Sequence, residues 1–430
     1  MYNLRGGFLI RPLTIALALG CAGAFLSWLE EEFPAASAWV PSVLFPSHAD
    51  PQVAQVILAG IAGSIMTVVS IVFAILLMTL TLASMQFSPR IIVSFSRDRV
   101  TQWTLGIFLG TFSYCMAALP TARSLPHPFA PVATVLGAMV LALACVGLLL
   151  FFIHHISQAI SVNHIVDRIA EETEAMIDEM MPRPHRLNPL KDAEPLRPNP
   201  SEVAVSSDDS GYIRFIDTRR LVAIAKYYHV TIRVLRRVGH FVPAGVPLIM
   251  VSKGNRLPPE GTAELLAAFD LGPTRTLQQD VEFGVLQIVD IALKAISPAV
   301  NDPTTAISCV DQLSRILIRF ASREPPEELL YDPPGIVRAS IGWIHFERLL
   351  DAAYEQIRMY SKTDVAVSLR LLRAISDIAV STPDPKFRRI LVERGIRITA
   401  GCSEKLTEEE LREVRARQAA MEVFIATSQP

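Results

Sequence analysis

The longest apolar run of the chain lies in its first fifth. No charged residue occurs between Val53 and Met85, and a helix needs roughly 20 apolar residues to cross about 30 Å of hydrocarbon. The pattern therefore predicts a membrane helix with turns to spare. Together with three other apolar runs, it gives four predicted spans: Pro12 to Leu29, Val53 to Met85, Thr101 to Leu119 and Phe129 to Ile153.

Small and hydroxylated residues recur along one face of the second span. At alternating steps of four and three residues, this face carries Gly63, Thr67, Ser70, Ala74, Leu77, Thr81, Ser84 and Ser88. Lipid does not favour such asymmetry, so the face is expected to meet neighbouring helices, which small residues allow to approach closely, or a wetted pathway between subunits. Packing is the plainer interpretation, and both stay open.

Charge separates a membrane half from a soluble half. Only six of the 40 basic and five of the 42 acidic residues precede residue 159. The arginines at positions 5, 11, 90, 97 and 99 place both termini in the cytoplasm by the positive-inside rule. The predicted spans contain no Asp, Glu or Lys, which disfavours a pump with a buried proton carrier. A net charge of −2 supplies no basic field for nucleic acid.

Periodicity and proline content divide the chain into five segments. A transmembrane domain (1–158) is followed by a cytoplasmic stalk helix (159–181) that continues the fourth span, and by a proline-rich linker (182–202). Short alternating runs then predict a small β module (203–256), and helical patterns fill 257–430. The β module resembles the barrel-sandwich modules of biotinyl and lipoyl carriers. Lys226 lacks the hairpin context in which those carriers modify a lysine, so no covalent cofactor is expected.

Polar residues gather where the second and fourth spans reach the cytoplasm. They are Arg90, His154, His155 and Gln158. Interfacial hydrogen bonding is the favoured interpretation of the histidines, and a pH-sensitive gate is the alternative. No carboxylate or third histidine stands at ligand spacing, so no metal is expected. Arg90 fits topology determination and contact with lipid headgroups.

The densest polar pattern of the soluble half follows residue 279. Its members are Asp280, Gln287, Asp290, Asn301, Asp302 and Thr304. Helix caps and buried ion pairs explain this pattern best, and a ligand or ion sensor is the alternative. A catalytic site would need a nucleophile, a base and an orienting group, or a metal set. No such set is found, so an enzyme is not expected.

Three stretches resemble a known family. They are Met85-Gln86-Phe87-Ser88-Pro89-Arg90, the segment from Gln279-Asp280 through Phe283-Gly284 to Asp290-Ile291-Ala292, and Ala295-Ile296-Ser297-Pro298-Ala299-Val300-Asn301-Asp302-Pro303-Thr304-Thr305-Ala306. They are similar to the bacterial predicted-membrane-protein family catalogued as domain of unknown function 2254. The resemblance covers nearly the whole chain and implies a bacterial inner-membrane location, without an activity.

The sequence therefore predicts a membrane α-helical protein with four transmembrane helices and a cytoplasmic α+β region. We expect a homo-oligomer in the lipid bilayer that provides a passive channel for ions or small solutes. The alternative is a non-conducting sensor or scaffold whose cytoplasmic domain binds a ligand or partner.

Overall fold

The chain divides into two compact units, Met1–His164 and Ile165–Pro430, here called the membrane unit and the soluble unit. The structure is a computed structural model. It describes residues 10–33, 50–86, 99–123, 128–159, 161–181, 200–332, 335–382, 384–402 and 404–427. The predicted proline-rich linker lies mostly outside these residues, as does Arg90.

Over its described residues, the membrane unit contains four long α-helices. They are α1 (Ile10–Glu32), α2 (Pro51–Gln86), α3 (Arg99–Ala118) and α4 (Val132–Ala159). Within the described residues, four helical segments are long and apolar enough to cross a bilayer, which confirms the four predicted spans. Helix α1 continues to Glu32, three residues beyond the predicted end of the first span at Leu29.

Helix α3 lies at the centre of the membrane unit, and glycines bring α1 against it. A Cβ atom on Gly23 would lie 2.6 Å from the carbonyl oxygen of Tyr114, and one on Gly20 would lie 3.2 Å from the Cβ of Ser113. On α3, a Cβ on Gly110 would overlap the Leu19 side chain. Small residues thus let α1 and α3 pack nearly backbone to backbone, as is common between membrane helices.

Helix α2 packs along one face only. The buried residues recur at steps of three and four, as expected for one side of a helix. They are Ala54, Leu58, Ala62, Ile65, Val69 and Val72. These residues join two apolar clusters with side chains of α3 and α4.

The predicted uninterrupted helix after the fourth span is wrong. Helix α4 ends at Ala159, and a separate helix α5 (Val162–Met180) follows. The periodicity of the apolar residues continues across this junction, which explains why the sequence pattern did not reveal it. Helix α5 buries one face within the soluble unit.

The β structure is larger than the predicted module and interleaved with helices. Its elements are β1 (Val203–Ser206), β2 (Gly211–Ile216), α6 (Thr218–Tyr227), β3 (Thr231–Val234), β4 (Phe241–Val242), β5 (Pro247–Ser252), α7 (Pro259–Leu266) and β6 (Phe269–Gly272). Two later strands, β7 (Leu329–Asp332) and β8 (Ile336–Ser340), complete a five-stranded sheet of order β1-β5-β3-β8-β7, and β4-β2-β6 form a second sheet. The barrel-sandwich detail is therefore not supported.

Six α-helices make up the remainder of the described residues of the soluble unit. They are α8 (Val281–Ala295), α9 (Pro303–Ala321), α10 (Phe346–Tyr360), α11 (Val365–Ser381), α12 (Pro385–Cys402) and α13 (Glu408–Thr427). Asp280, Asp302 and Asp364 each accept a hydrogen bond from the backbone N–H three residues later, as N-cap residues do. These caps fix where α8, α9 and α11 begin.

Candidate functional site

The small-residue stripe of α2 comprises Gly63, Thr67, Ser70, Ala74 and Thr81, with Ser84 as its predicted continuation. The first five are exposed. At about 100° per residue they fall on the side of α2 opposite its packed face. The side chain of Ser84 lies outside the described residues. These five residues thus share one face of α2, and no other helix among the described residues covers that face.

The hydroxyl groups of the stripe bond to their own helix. Thr67 donates to the Gly63 carbonyl at 3.1 Å, Ser70 donates to the Met66 carbonyl at 3.0 Å, and Thr81 donates to the Leu77 carbonyl at 2.8 Å. Each hydroxyl hydrogen is thereby used, while oxygen lone pairs are left as acceptors. Around Gly63, a Cβ atom would meet nothing within 4 Å. Apart from Leu77, which is 63% exposed on the same side of α2, the face consists of small residues whose hydroxyl groups can only accept further hydrogen bonds.

The predicted cytoplasmic mouth is only partly described. His154 and Gln158 are exposed on the last turns of α4, and the His155 ring stacks on Phe151 with 6.3 Å between centroids. Arg90 lies outside the described residues. Over the described part of the chain, no three His, Cys, Asp or Glu side chains are grouped closely enough to hold a metal ion.

The residues of the predicted polar cluster in the soluble unit form two separate groups, one at each end of helix α8. Asp280 caps the start of α8, whereas Asn301, Asp302 and Thr304 follow its end. Fifteen helical residues separate them by roughly 22 Å at about 1.5 Å per residue. The Asp302 carboxylate accepts bonds from the Thr305 N–H at 3.1 Å and its hydroxyl at 2.5 Å, and these bonds lower the pKa of Asp302.

Gln287, Asp290, Asn301 and Thr304 differ in their surroundings. Gln287 is buried, and its Oε1 atom has no hydrogen-bond partner among the described residues. Asp290 is half-buried further along α8, and Asn301 and Thr304 are exposed. Asn301 has a φ of 50°, a left-handed conformation that Asn tolerates. These four residues therefore do not converge with Asp280 on one ligand-sized space.

A buried charge network that the sequence did not reveal surrounds the start of α8. Arg275 holds Asp280 through two bonds, Nε–Oδ2 at 2.7 Å and Nη2–Oδ1 at 2.8 Å. Glu282 accepts from Arg237 at 3.0 Å and from Arg275 at 3.1 Å. Gly239, with a φ of +85°, lies so close that a Cβ atom would overlap the Asp280 carboxylate. Asp280 and Glu282 lie in a stretch that resembles the known family, but the sequence did not show which distant arginines pair with them.

The network makes the soluble unit sensitive to acid. Burial alone would raise the pKa of Glu282, but the guanidinium groups of Arg237 and Arg275 outweigh it and hold this pKa below its ordinary value. A carboxyl group with a lowered folded-state pKa stabilises the fold fully above its unfolded pKa of about 4.3. This stabilisation is lost as the pH falls through the lowered value.

Glu30 was also missed, and it corrects the expectation that no acidic residue lies within a span. It is buried at the end of α1 and accepts bonds from the backbone N–H groups of Ala133 at 2.7 Å and Thr134 at 2.8 Å, and from the Thr134 hydroxyl at 2.5 Å. These N–H groups belong to the first turn of α4, which has no earlier turn to bond them. Glu30 therefore caps α4 from another helix.

Four apolar helices joined to a large α+β unit define the class of this chain as a membrane protein. The chain belongs to the family described as Predicted membrane protein (DUF2254), whose model matches residues 5–377. It is 30% identical over 409 residues to Uncharacterized protein Mb1321c of Mycobacterium bovis and to Uncharacterized protein Rv1290c of Mycobacterium tuberculosis, an overlap of 94% of this chain and 77% of each relative. No solved structure matches it.

Proposed function

We propose that this protein is a homo-oligomer of the bacterial inner membrane, with both termini in the cytoplasm, whose subunits meet along the small-residue stripe of α2. In this proposal the stripe lines a passive route for ions or small solutes, and the soluble unit regulates it. The single observation that carries the proposal is the position of the stripe, which lies opposite the packed face of α2 and is exposed in the single chain.

A comparison with α4 supports a stripe that faces another subunit rather than lipid. The exposed positions of α4 include bulky apolar side chains such as Leu143, Leu150 and Val140, which are 75%, 66% and 60% exposed. Such side chains fit acyl chains. In contrast, the stripe offers Gly63, where nothing lies within 4 Å of an added Cβ, and short hydroxylated residues. Small residues favour close helix contact because dispersion contacts between backbones replace contacts with lipid.

The chemistry of the stripe also bears on what would pass. Its hydroxyl oxygens are acceptors, and the α2 stretch Val53 to Met85 carries no charge. Such a lining favours water, cations and hydrogen-bond donors over anions, and it lacks the carbonyl or carboxylate rings of a strict filter. Glu30 is an acidic residue within the membrane helix α1. Its three bonds to the start of α4 support a capping role.

Flux into liposomes that contain the purified protein tests the proposal. We expect the double variant Thr67→Leu/Ser70→Leu to remain assembled and to lose flux by about tenfold or more, because apolar side chains would fill a narrow polar route. Met66→Leu is the matched control, since Met66 is exposed on the same turn and the change conserves volume. Wild-type protein with no flux above empty vesicles at any pH or membrane tension contradicts the proposed route.

The alternative function is a non-conducting sensor or scaffold. The observation that favours it is the soluble unit, which has its own apolar core and extends over Ile165–Pro430. In a scaffold, the stripe would serve contact alone. The same double variant then loses assembly through overpacking, and wild-type protein shows no flux.

A further inference from the structure

Three guanidinium groups of the soluble unit meet at a single carboxylate. The Glu282 carboxylate accepts hydrogen bonds from Arg237 at 3.0 Å and from Arg275 at 3.1 Å, and its Oε1 atom lies 3.4 Å from Nε of Arg348. The three arginines come from the loop between β3 and β4, the segment between β6 and α8, and the first turn of α10. The fold thus gathers cations that are far apart in the sequence.

The loop that carries Arg237 is held by strand β2. The backbone N–H of Gly239 donates to the Ile213 carbonyl at 2.8 Å, and the N–H of Ile213 donates to the His240 carbonyl at 3.0 Å. The N–H of His240 in turn donates to the Arg237 carbonyl at 3.1 Å. The guanidinium group of Arg237 therefore starts from an ordered backbone and is oriented by Glu282.

Positive charge exceeds negative charge at this place. Asp280 and Glu282 bring two carboxylates to the three guanidinium groups. Glu347, which directly precedes Arg348, contacts Arg394 at 3.2 Å, and no second carboxylate of the described residues contacts Arg348. The start of α8 adds the partial positive charge of a helix N-terminus. The cluster therefore carries an excess of positive charge.

The pKa of His240 is consistent with this excess. Burial lowers the pKa of this half-buried imidazole, and the charge of Arg237 lowers it further. The exposed Arg236 and the nearby Arg275 act in the same direction, and the opposing charge of Glu282 does not reverse the shift. The same positive charges would favour a bound anion.

The arginines also keep N–H donors for a further acceptor. An arginine side chain has five N–H donors. Among the described residues, Arg237 forms a hydrogen bond only through Nη2, and Arg275 only through Nε and Nη2. The Arg237 side chain is 17% exposed and the Arg348 side chain is 70% exposed. An oriented guanidinium group thus lies beside an accessible one, an arrangement that suits forked binding of phosphate oxygens.

From this geometry we propose that the soluble unit binds a phosphate group at this arginine cluster. Arg237 and Arg348 donate to the phosphate oxygens, and Glu282 is a positioning residue that holds the guanidinium groups together. The phosphate belongs either to a free phosphate compound or to the headgroup of a lipid. The proposal concerns the soluble unit alone, so it does not depend on the route proposed for α2.

Phosphorus-31 NMR tests this site with the full-length protein in a maltoside detergent. We expect the resonance of inorganic phosphate to broaden as wild-type protein is added. Arg348→Gln should reduce the affinity about tenfold, the loss expected for one hydrogen bond between charged groups. Arg348→Lys keeps the charge without the forked donors and should lose less. The matched control is Arg373→Gln, which removes an exposed arginine that pairs with Asp377 on α11 and should bind as the wild type does.

A second titration distinguishes the two sources of phosphate. Its probe is glycerophosphoglycerol, the soluble headgroup of phosphatidylglycerol. Tighter binding of this probe than of inorganic phosphate supports a lipid headgroup, and the reverse order supports a free phosphate compound. No broadening with either probe overturns the proposal. Equal binding by Arg348→Gln and the wild type, or an equal loss in Arg373→Gln, overturns it as well.

Discussion

Replacing Gly23 by valine is expected to destabilise the membrane unit by about 3 kcal/mol, the upper end for overpacked sites. A Cβ atom at this position would lie 2.6 Å from the carbonyl oxygen and 3.0 Å from the Cα of Tyr114. Both are backbone atoms of α3, so no side-chain rotation relieves the overlap, and α1 must move away. Thermal unfolding of the full-length protein in detergent, followed by circular dichroism, measures the effect.

The matched control is Gly147→Val on α4, where nothing lies within 4 Å of an added Cβ atom. It introduces the same β-branched residue into a membrane helix, so the change in helix propensity is the same in both variants. Gly147→Val should unfold near the wild-type temperature, and Gly23→Val should unfold well below it. Equal unfolding temperatures for the two variants contradict the close contact between α1 and α3.

The second large effect is expected from Asp280→Ala, which should destabilise the soluble unit by about 3–5 kcal/mol. The change removes the N-cap of α8 and leaves the Arg275 guanidinium, whose side chain is 14% exposed, without its bidentate partner. Glu282 still accepts from Arg275 at 3.1 Å, but it is then shared by Arg275 and Arg237, and the excess buried positive charge costs far more than the net value of the pair. Thermal unfolding of the full-length protein, read from the far-ultraviolet signal, gives the difference.

Asp270→Ala is the control for this prediction. It also removes an arginine–carboxylate pair, with Arg214 at 2.6 Å, but the Asp270 side chain is 46% exposed. Exposed pairs contribute up to about 1 kcal/mol, so this variant should unfold close to the wild type. If Asp270→Ala costs as much as Asp280→Ala, burial does not determine the strength of these pairs.

The membrane unit was largely predictable because length and hydrophobicity alone define a span. All four spans were found, and so was the separation of the small face of α2 from its bulky faces. What the pattern could not indicate was which face the same chain covers. The glycine contacts of α1 with α3 and the capping of α4 by Glu30 each join residues about 90 or more positions apart, and helical periodicity contains no information on such pairs.

The soluble unit shows the same division between local and distant information. The helix starts at Asp280 and Asp302 were predicted, since capping depends on neighbouring residues. Helical patterns were expected to fill 257–430, but Ile336–Ser340 forms strand β8, and α10 begins only at Phe346. Strand β8 pairs with β7, which precedes it directly in the chain, and in parallel with β3, where Ile232 faces Ala339. That pairing spans more than 100 residues and overrides local propensity.

The candidate sites follow this rule as well. The stripe from Gly63 to Thr81 lies on one helix, so its common face could be read from spacing. The cluster from Asp280 to Thr304 was assembled from sequence proximity, but an intervening helix separates its two ends. One arginine of this charge network, Arg237, pairs with Glu282 and precedes α8 by more than 40 residues. A side chain's charge is visible in the sequence, whereas its partner is a property of the fold.

Cross-linking through position 70 tests most directly whether the small-residue stripe faces a second copy of the chain. The variant Ser70→Cys is made in a Cys21→Ala background, because Cys21 is exposed and the other four cysteines are buried. Leu143→Cys, at an exposed site on α4, is the control. Direct disulfide formation requires Cα atoms within about 7 Å, and a longer bismaleimide spans a wider axis.

We expect covalent dimers for Ser70→Cys in native membranes and far fewer for Leu143→Cys. Dimers formed by the disulfide indicate helices in direct contact, and dimers formed only by the bismaleimide indicate a route between them. If Ser70→Cys gives no more dimer than Leu143→Cys with either reagent, the stripe faces lipid, and both the assembly and the route are contradicted.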